Sequence, residues 1–151
     1  MRILAIETSC DETAIAIADF SRTREGVDCN VLAHFVSSQI SIHQEFGGVV
    51  PNLAKREHQK NLVPILLHVL KKSGIWNIEF RKKNYQSKIP NSKFEILNPI
   101  LEREPELLQQ FLKEIIPLPP PDIDAISVTF GPGLAPALWV GVNFARALSY
   151  L

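Results

Sequence analysis

Residues 3–17 read Ile-Leu-Ala-Ile-Glu-Thr-Ser-Cys-Asp-Glu-Thr-Ala-Ile-Ala-Ile. Two short apolar runs, Ile3–Ile6 and Ala14–Ala18, lie on either side of seven polar or small residues. Apolar runs of this length, bounded by residues that favour turns, are typical of β-strands. The stretch therefore predicts a β-hairpin whose polar tip faces outward.

The tip of this hairpin combines two adjacent carboxylates, Asp11 and Glu12, with the hydroxyls of Thr8, Ser9 and Thr13. Hydroxyl and backbone N–H groups at a tight turn can hold phosphate oxygens, and a carboxylate can hold a hydrated cation beside them. From these residues alone, the tip is either such a binding turn or an ordinary solvated turn. The thiol at position 10 is correspondingly either reactive or a half-buried, inert group.

The composition is that of one globular domain with a real core. The chain has 151 residues, 46% of them hydrophobic, and a formal net charge of +0, so no overall field attracts nucleic acid or membrane. No apolar run is long enough to span a bilayer, and the first residues lead into a strand, not a signal region. Two cysteines are too few for a disulfide framework, and we expect a cytoplasmic protein.

The rest of the chain predicts an α/β fold: a mixed sheet with antiparallel N-terminal strands and flanking helices. A third strand is expected within Val27–Ile40, and a helix follows the paired glycines 47 and 48, opened by a proline that suits its first turn. Pro64 should kink this helix. The predicted later elements are the helix Pro51–Lys72, a strand in Asp124–Phe130, and a helix from Ala135 to the last residue.

The segment 75–121 differs in character from its surroundings and is interpreted as an insertion. Five cations, Arg81, Lys82, Lys83, Lys88 and Lys93, occur there with Tyr85 among them. Such a segment could contact a nucleic-acid backbone, or it could be a solvated, mobile insertion. Prolines, Asn and Ser predict poor order over Ile75–Ile100, whereas helical periodicity predicts a docked helix over Glu106–Ile116.

Three stretches match one family in order: Ile6-Glu7-Thr8-Ser9-Cys10-Asp11-Glu12-Thr13, Gly47-Gly48-Val49-Val50-Pro51-Asn52-Leu53-Ala54, and Gly131-Pro132-Gly133-Leu134 with Val140-Gly141. With these motifs the chain resembles the N-terminal lobe of the TsaD/Gcp family, the tRNA threonylcarbamoyltransferases. The resemblance implies an actin-like ATPase fold built of two ribonuclease-H-like lobes. Residues 1–151 would form the first lobe, with the insertion at about 75–121, and the second lobe is absent.

The resemblance also implies an activity, which is transfer of threonylcarbamoyl from its adenylate, an ATP-derived nucleotide, to the tRNA adenosine next to the anticodon. Asp11 and Glu12 match the active-site turn of the family and would orient the adenylate or position the attacking amine. The residues expected to bind the substrate or support the turn are Thr8, Ser9, Thr13, Gly131 and Gly133.

The resemblance further implies a family metal, iron or zinc, held by a His-x-x-x-His pair and a distant Asp. No such pair occurs in these 151 residues, so we expect those ligands to lie beyond Leu151 and this chain to be inactive alone. Each of the four histidines is more readily interpreted as structural or as part of the surface than as a ligand. They are His34, His43, His58 and His68.

Two further functions remain possible at this point. One is a non-catalytic scaffold similar to TsaB, a paralogue that keeps the lobe, and the other is a sugar-kinase relative. The Ser-Cys-Asp-Glu-Thr and Gly-Gly-Val-Val-Pro stretches resemble the catalytic branch. The expected partners are tRNA and either a TsaB-like subunit or a second copy, bound through the helices 51–72 and 135–151; no membrane is expected.

Overall fold

The computed structural model of the chain describes residues 1–75 and 91–151, apart from the side chains of 91–94. A four-stranded sheet in the order β3-β2-β1-β4 forms its centre. The strand β1 pairs antiparallel with β2 and parallel with β4, and β2 pairs antiparallel with β3. The predicted mixed sheet with antiparallel N-terminal strands is confirmed. The strands are β1 (Arg2–Glu7), β2 (Glu12–Thr23), β3 (Gly26–Ser38) and β4 (Ala125–Val128).

Helices cover one face of this sheet, with α2 against β2 and β3 and α5 against β1 and β4. None of the helices in the described segments combines the length and the apolar run that a bilayer crossing needs. The helices are α1 (Ile40–His43), α2 (Pro51–Lys72), α3 (Asn91–Leu101), α4 (Pro105–Gln110), which continues as a π-helix (Phe111–Ile115), and α5 (Ala135–Leu148).

The hairpin forms because its two strands alternate apolar side chains in one register. Leu4 lies opposite Ile17 and Ile6 opposite Ile15, and all four are at most 3% exposed beneath the helices. Successive side chains of a strand point to opposite faces, so Ala5 between them is exposed. Burial of each large side chain is worth about 1.5–3 kcal/mol, and this fixes which face carries the helices.

Helix α2 has the predicted bounds. Pro51 occupies its first turn, and Leu62, Leu66 and Val69 are buried on one side. The helix continues through Pro64, which is exposed; the kink there stays a prediction. Because the N-terminal half of α2 lies below the hairpin, its polar side chains can reach the tip.

Part of the segment that we interpreted as an insertion belongs to the core. Leu101, Leu107 and Phe111 are fully buried, and Phe111 meets Phe144 of α5 edge to face, with ring centroids 5.9 Å apart. The docked helix predicted over Glu106–Ile116 is therefore confirmed, as α4 and the π-helix.

The poor order predicted over Ile75–Ile100 is wrong for residues 91–100, because α3 begins at Asn91 and buries Leu97 and Ile100. Asn, Ser and Pro also suit the first turn of a helix, so the residues interpreted as loop-forming were ambiguous. The prediction for 76–90, with the cations at 81–83 and 88, lies outside the described residues, as does the side chain of the cation at 93.

The strand β4 forms the edge of the sheet next to β1. It pairs with β1 over Ile3–Ile6. Arg2 forms a salt bridge with the segment before β4, where its Nη1 lies 3.1 Å from Asp122 Oδ2, and another with β2, where its Nε lies 2.8 Å from Asp19 Oδ1. The helix α5 follows and ends at Leu148, slightly before the predicted end. Parallel strands place their carboxyl ends at the same edge, so the hairpin tip and the loop 131–133 lie together.

Candidate functional site

The tip of the hairpin contains four half-buried residues between two buried threonines. Ser9, Cys10, Asp11 and Glu12 are partly exposed, whereas Thr8 and Thr13 are 0% exposed. Thr8 Oγ1 donates to the carbonyl oxygen of Ala137 at 2.9 Å. The tip therefore faces outward only in its centre, and its two threonines point into the protein.

Two glycines allow the chain after β4 to pack directly on the tip. A Cβ atom at Gly133, where φ is 155°, would lie 2.6 Å from the carbonyl oxygen of Ser9, and a Cβ at Gly141 would lie 2.4 Å from Thr8 Oγ1. The amide of Leu134 donates to the same Ser9 oxygen at 2.7 Å. Gly131, the other glycine expected at the site, has open space around it.

A carboxylate that the sequence analysis missed supports the turn. Glu7, the last residue of β1, accepts hydrogen bonds from the backbone amide of Ser9 and from the hydroxyl of Thr129. Burial raises the pKa of Glu7, but the hydrogen bonds from Ser9 and Thr129 outweigh it, and the pKa lies below its ordinary value. Glu7 therefore stays ionised and ties the tip to the residue after β4. The sequence signal that could have identified Glu7 was the position of this carboxylate at the end of the first strand.

A buried histidine holds the other side of the turn. His58 of α2 is 0% exposed, and its Nε2 lies 3.1 Å from the carbonyl oxygen of Cys10. A carbonyl only accepts, so Nε2 carries the proton and Nδ1 accepts from the hydroxyl of Thr13 at 2.7 Å. Burial lowers the pKa of His58, and the ring is neutral at pH 7.

The same network reaches the paired-glycine segment. Gln39 Nε2 lies 3.3 Å from Nδ1 of His58, and Gln39 Oε1 accepts from Nε2 of His43 at 3.1 Å. The amide of Val50, just before α2, donates to Nδ1 of His43 at 3.4 Å. His43 and His58 are thus structural, as their isolated positions indicated, but sequence spacing did not reveal that they connect two of the three motifs.

The neutral state of His58 predicts a pH dependence of stability. Because its pKa is lower in the folded than in the unfolded chain, the unfolded chain binds more protons as pH falls below about 6.5. The free energy of unfolding should therefore be constant above that pH and decrease below it, by at most about 1.4 kcal/mol per pH unit.

Urea unfolding between pH 5 and 8 measures this dependence. His58→Gln should cost stability at pH 8 and lose most of the decline on acidification, whereas His34→Gln, at an exposed position, should behave as the parent chain. An identical acid decline in His58→Gln would show that another group is responsible.

The two carboxylates of the tip lie together at the surface. Burial raises the pKa of Glu12, and the charge of Asp11, a hydrogen bond with it and the charge of Glu7 raise it further. Burial and the same Asp11 raise the pKa of the Cys10 thiol, which favours the inert interpretation of that cysteine. Among the residues that the structure describes, no lysine or arginine forms a salt bridge with Asp11 or Glu12.

The described residues do not fit the metal that the resemblance implies. No group of three His, Cys, Asp or Glu side chains in ranges 1–75 and 91–151 could hold an ion. Both buried histidines already bond to protein groups.

Comparison with known proteins agrees with the second and third motifs, which lie in the matched ranges. The family model described as "TsaD: tRNA N6-adenosine threonylcarbamoyltransferase" matches residues 30–80 and 101–151, about two thirds of the chain, and leaves 1–29 and 81–100 unmatched. The matched part includes 101–121, which the sequence analysis had placed in the insertion.

Similar proteins bear the same name, tRNA N6-adenosine threonylcarbamoyltransferase. The protein of Persephonella marina is 36% identical over 151 residues, which is 100% of this chain and 29% of that protein. The protein of Moorella thermoacetica is 36% identical over 149 residues, 98% of this chain, and that of Clostridium kluyveri 37% identical over 150 residues, 99% of this chain. The chain spans 29% of the length of each relative. On this agreement of motifs, fold and sequence, the chain belongs to the TsaD family of tRNA N6-adenosine threonylcarbamoyltransferases.

Proposed function

We propose that this chain is the N-terminal portion of an enzyme that transfers threonylcarbamoyl from its adenylate to N6 of the tRNA adenosine next to the anticodon. In that reaction the amine nitrogen bonds to the carbamoyl carbon, the bond from that carbon to the phosphate oxygen breaks, and AMP leaves while the nitrogen loses a proton. The proposal rests on the structure of the tip. Its two adjacent carboxylates have no cationic partner in the described residues. Hydrogen bonds from Thr8 to Ala137 and from His58 to Cys10 hold the turn on its buried side.

Asp11 and Glu12 act by position and charge. Their carboxylates accept hydrogen bonds from the attacking amine or from the threonyl part of the donor, and so align the two reactants. The raised pKa of Glu12 makes this group a better proton acceptor than the ordinary exposed carboxylate that the sequence suggested. Positioning remains the main role in our proposal, because both side chains are partly solvated.

The remaining residues of the turn divide into two roles. Thr8 and Thr13 support the tip, since their hydroxyls bond to Ala137 and His58 and their side chains have no exposed surface. Ser9, Gly131 and Gly133 are at least partly exposed, and we assign them to contacts with the substrate. Backbone N–H groups in such a loop can meet phosphate oxygens of the adenylate.

The proposed partners are tRNA and a TsaB-like subunit or second copy, in the cytoplasm. Association through α2 and α5 must use their outer surfaces, because the small residues Ala137 and Gly141 of α5 are buried against the tip. The metal and the rest of the donor site are assigned to the part of the family protein that follows position 151.

A chimera tests the proposed activity. Residues 1–151 are joined to the remaining part of the Clostridium kluyveri relative, and the product is incubated with threonylcarbamoyl-adenylate and tRNA. Mass spectrometry of the digested tRNA should show threonylcarbamoyladenosine, and the 151-residue chain alone should produce none. A folded chimera that binds the adenylate and leaves tRNA unmodified would contradict the proposal.

A further inference from the structure

A continuous series of hydrogen bonds runs in one direction from the start of α2 to the tip. The amide of Val50 donates to Nδ1 of His43, and Nε2 of His43 donates to Oε1 of Gln39. Nε2 of Gln39 donates in turn to Nδ1 of His58, whose Nε2 donates to the carbonyl oxygen of Cys10. Each neutral imidazole has one donor and one acceptor nitrogen, so every link pairs a donor with an acceptor. We call His43, Gln39 and His58 the relay.

The direction of the relay is fixed because its side chains are removed from water. His58 is 0% exposed, Gln39 1% and His43 3%. A buried donor or acceptor that loses its partner costs free energy. Turning over the amide of Gln39 would bring its N–H groups against the Nε2 proton of His43, and both groups would then lack an acceptor. The paired-glycine segment therefore sets the orientation of His58 beneath the tip.

The relay fixes the backbone on both sides of Asp11. His58 holds the carbonyl oxygen of Cys10, which belongs to the peptide group before Asp11, at 3.1 Å. The backbone amide of Gln39 donates to the carbonyl oxygen of Asp11, in the peptide group after it, at 2.8 Å. A planar peptide group leaves only φ and ψ free at each residue. With both planes held, both angles of Asp11 are set, and so is the direction in which its side chain leaves the turn.

The same histidine also holds the residue after the carboxylate pair. The hydroxyl of Thr13 donates to Nδ1 of His58 at 2.7 Å, and Thr13 is 0% exposed. Glu12 therefore lies between the fixed carbonyl of Asp11 and the fixed side chain of Thr13. One buried ring thus contacts the turn both before and after its two carboxylates.

We propose that His58 is a positioning residue of the transfer reaction, which acts through the Cys10 carbonyl to set the direction of the Asp11 carboxylate. Asp11 is itself partly exposed, and the buried relay gives its turn the rigidity that a solvated turn lacks. A displacement of about 1 Å at a reacting centre can cost about a hundred-fold in rate. The kinetic part of this inference rests on the proposed function; the effect on the turn itself does not.

Two variants separate the bond to Cys10 from the bond to Thr13. An asparagine places its oxygen near the position of Nδ1, and a glutamine places its nitrogen near that of Nε2. His58→Asn therefore keeps the acceptor for Thr13 and loses the donor to Cys10, whereas His58→Gln keeps that donor.

Single-turnover transfer by the chimera measures the effect, with each rate corrected for the folded fraction by circular dichroism. The rate should fall about ten-fold or more in His58→Asn, and it should stay close to the parent rate in His58→Gln. The matched control is His68→Asn, at an exposed position of the same helix, which should transfer at the parent rate.

A double-mutant cycle shows whether His58 acts through Asp11. In the Asp11→Ala background, His58→Asn should lower the remaining rate little, because the group that it positions is gone. Its effect on urea unfolding should be the same in both backgrounds. If His58 only supported the fold, His58→Asn would lower the rate by the same factor with and without Asp11.

Backbone relaxation measured by NMR on the 151-residue chain gives a readout that does not depend on activity. The order parameters of Asp11 and Glu12 should be close to about 0.85 in the parent and should fall toward about 0.6 in His58→Asn. Those of Leu62, in the buried middle of α2, should not change. Imidazole nitrogen spectra of the parent should show the proton of His58 on Nε2.

The proposal is overturned if folded His58→Asn keeps the parent order parameter at Asp11, or the parent rate, or if its effect on the rate is equal in the two backgrounds. A proton on Nδ1 of His58 in the parent overturns it without any variant, even where His58→Asn does not fold. A parent chimera that leaves tRNA unmodified contradicts the proposed function, and the order parameters then decide separately whether His58 positions Asp11.

Discussion

Replacing Gly141 with alanine should destabilise the chain by at least about 2 kcal/mol, and replacement with leucine should prevent folding. The added Cβ would lie 2.4 Å from Thr8 Oγ1, and Thr8 cannot retreat without breaking its hydrogen bond to Ala137. Overpacking costs about 1–3 kcal/mol, and a buried hydroxyl that loses its partner costs a similar amount. Urea unfolding gives the difference in free energy directly.

A matched control and a double-mutant cycle separate this contact from general effects of losing glycine. Gly48 has no atom within 4 Å of its Cβ position, so Gly48→Ala should change stability little. Thr8→Ala combined with Gly141→Ala should be less destabilised than the sum of the single variants, because the clash is removed. If Gly141→Leu kept the parent stability and lost only association, Gly141 would face a partner and its packing against Thr8 would be refuted.

Asp11→Ala and Glu12→Ala, each made in the chimera, should lower the rate of transfer about a hundred-fold or more, as loss of a positioned polar group at a reacting centre does. The free energy of unfolding should stay within about 0.5 kcal/mol, because neither carboxylate forms a salt bridge in the described part of the chain. Single-turnover assays and urea unfolding on the same preparations give both quantities.

The matched controls remove carboxylates far from the tip. Glu25→Ala and Asp28→Ala lie at exposed positions near the β2–β3 turn and change the net charge equally, so both should transfer at the parent rate. Loss of activity and of stability in parallel for Glu12→Ala would mean that this carboxylate supports the fold and has no part in the site.

Local patterns predicted the elements well where the period was unambiguous. The short apolar runs that contain Ile6 and Ile15, bounded by turn-favouring residues, predicted the hairpin, and Pro51 with the spacing of Leu62 and Leu66 predicted α2. The helix α3 was missed because its Asn, Ser and Pro residues suit both loops and first helical turns. Its buried residues Leu97 and Leu101 were the signal that could have found it.

The candidate site was predictable only in part, because its support comes from distant residues. Asp11 and Glu12 were proposed from the turn itself and from the family motif. His58 contacts Cys10 from 48 positions away, and Gly141 meets Thr8 from the far end of the chain. No local period encodes such contacts, which arise only when the parallel pairing of β1 and β4 places the two ends at one edge.

The most direct test of the tip as the working site is the pH dependence of single-turnover transfer by the chimera and its Glu12→Gln variant. The raised pKa of Glu12 predicts that the parent rate falls on acidification at a higher pH than an ordinary glutamate would give, as the carboxylate takes up a proton. Glu12→Gln keeps the shape and removes the charge, so its rate should be low throughout and lack that acid limb. A Glu12→Gln chimera with the parent rate and the parent pH profile would contradict the account.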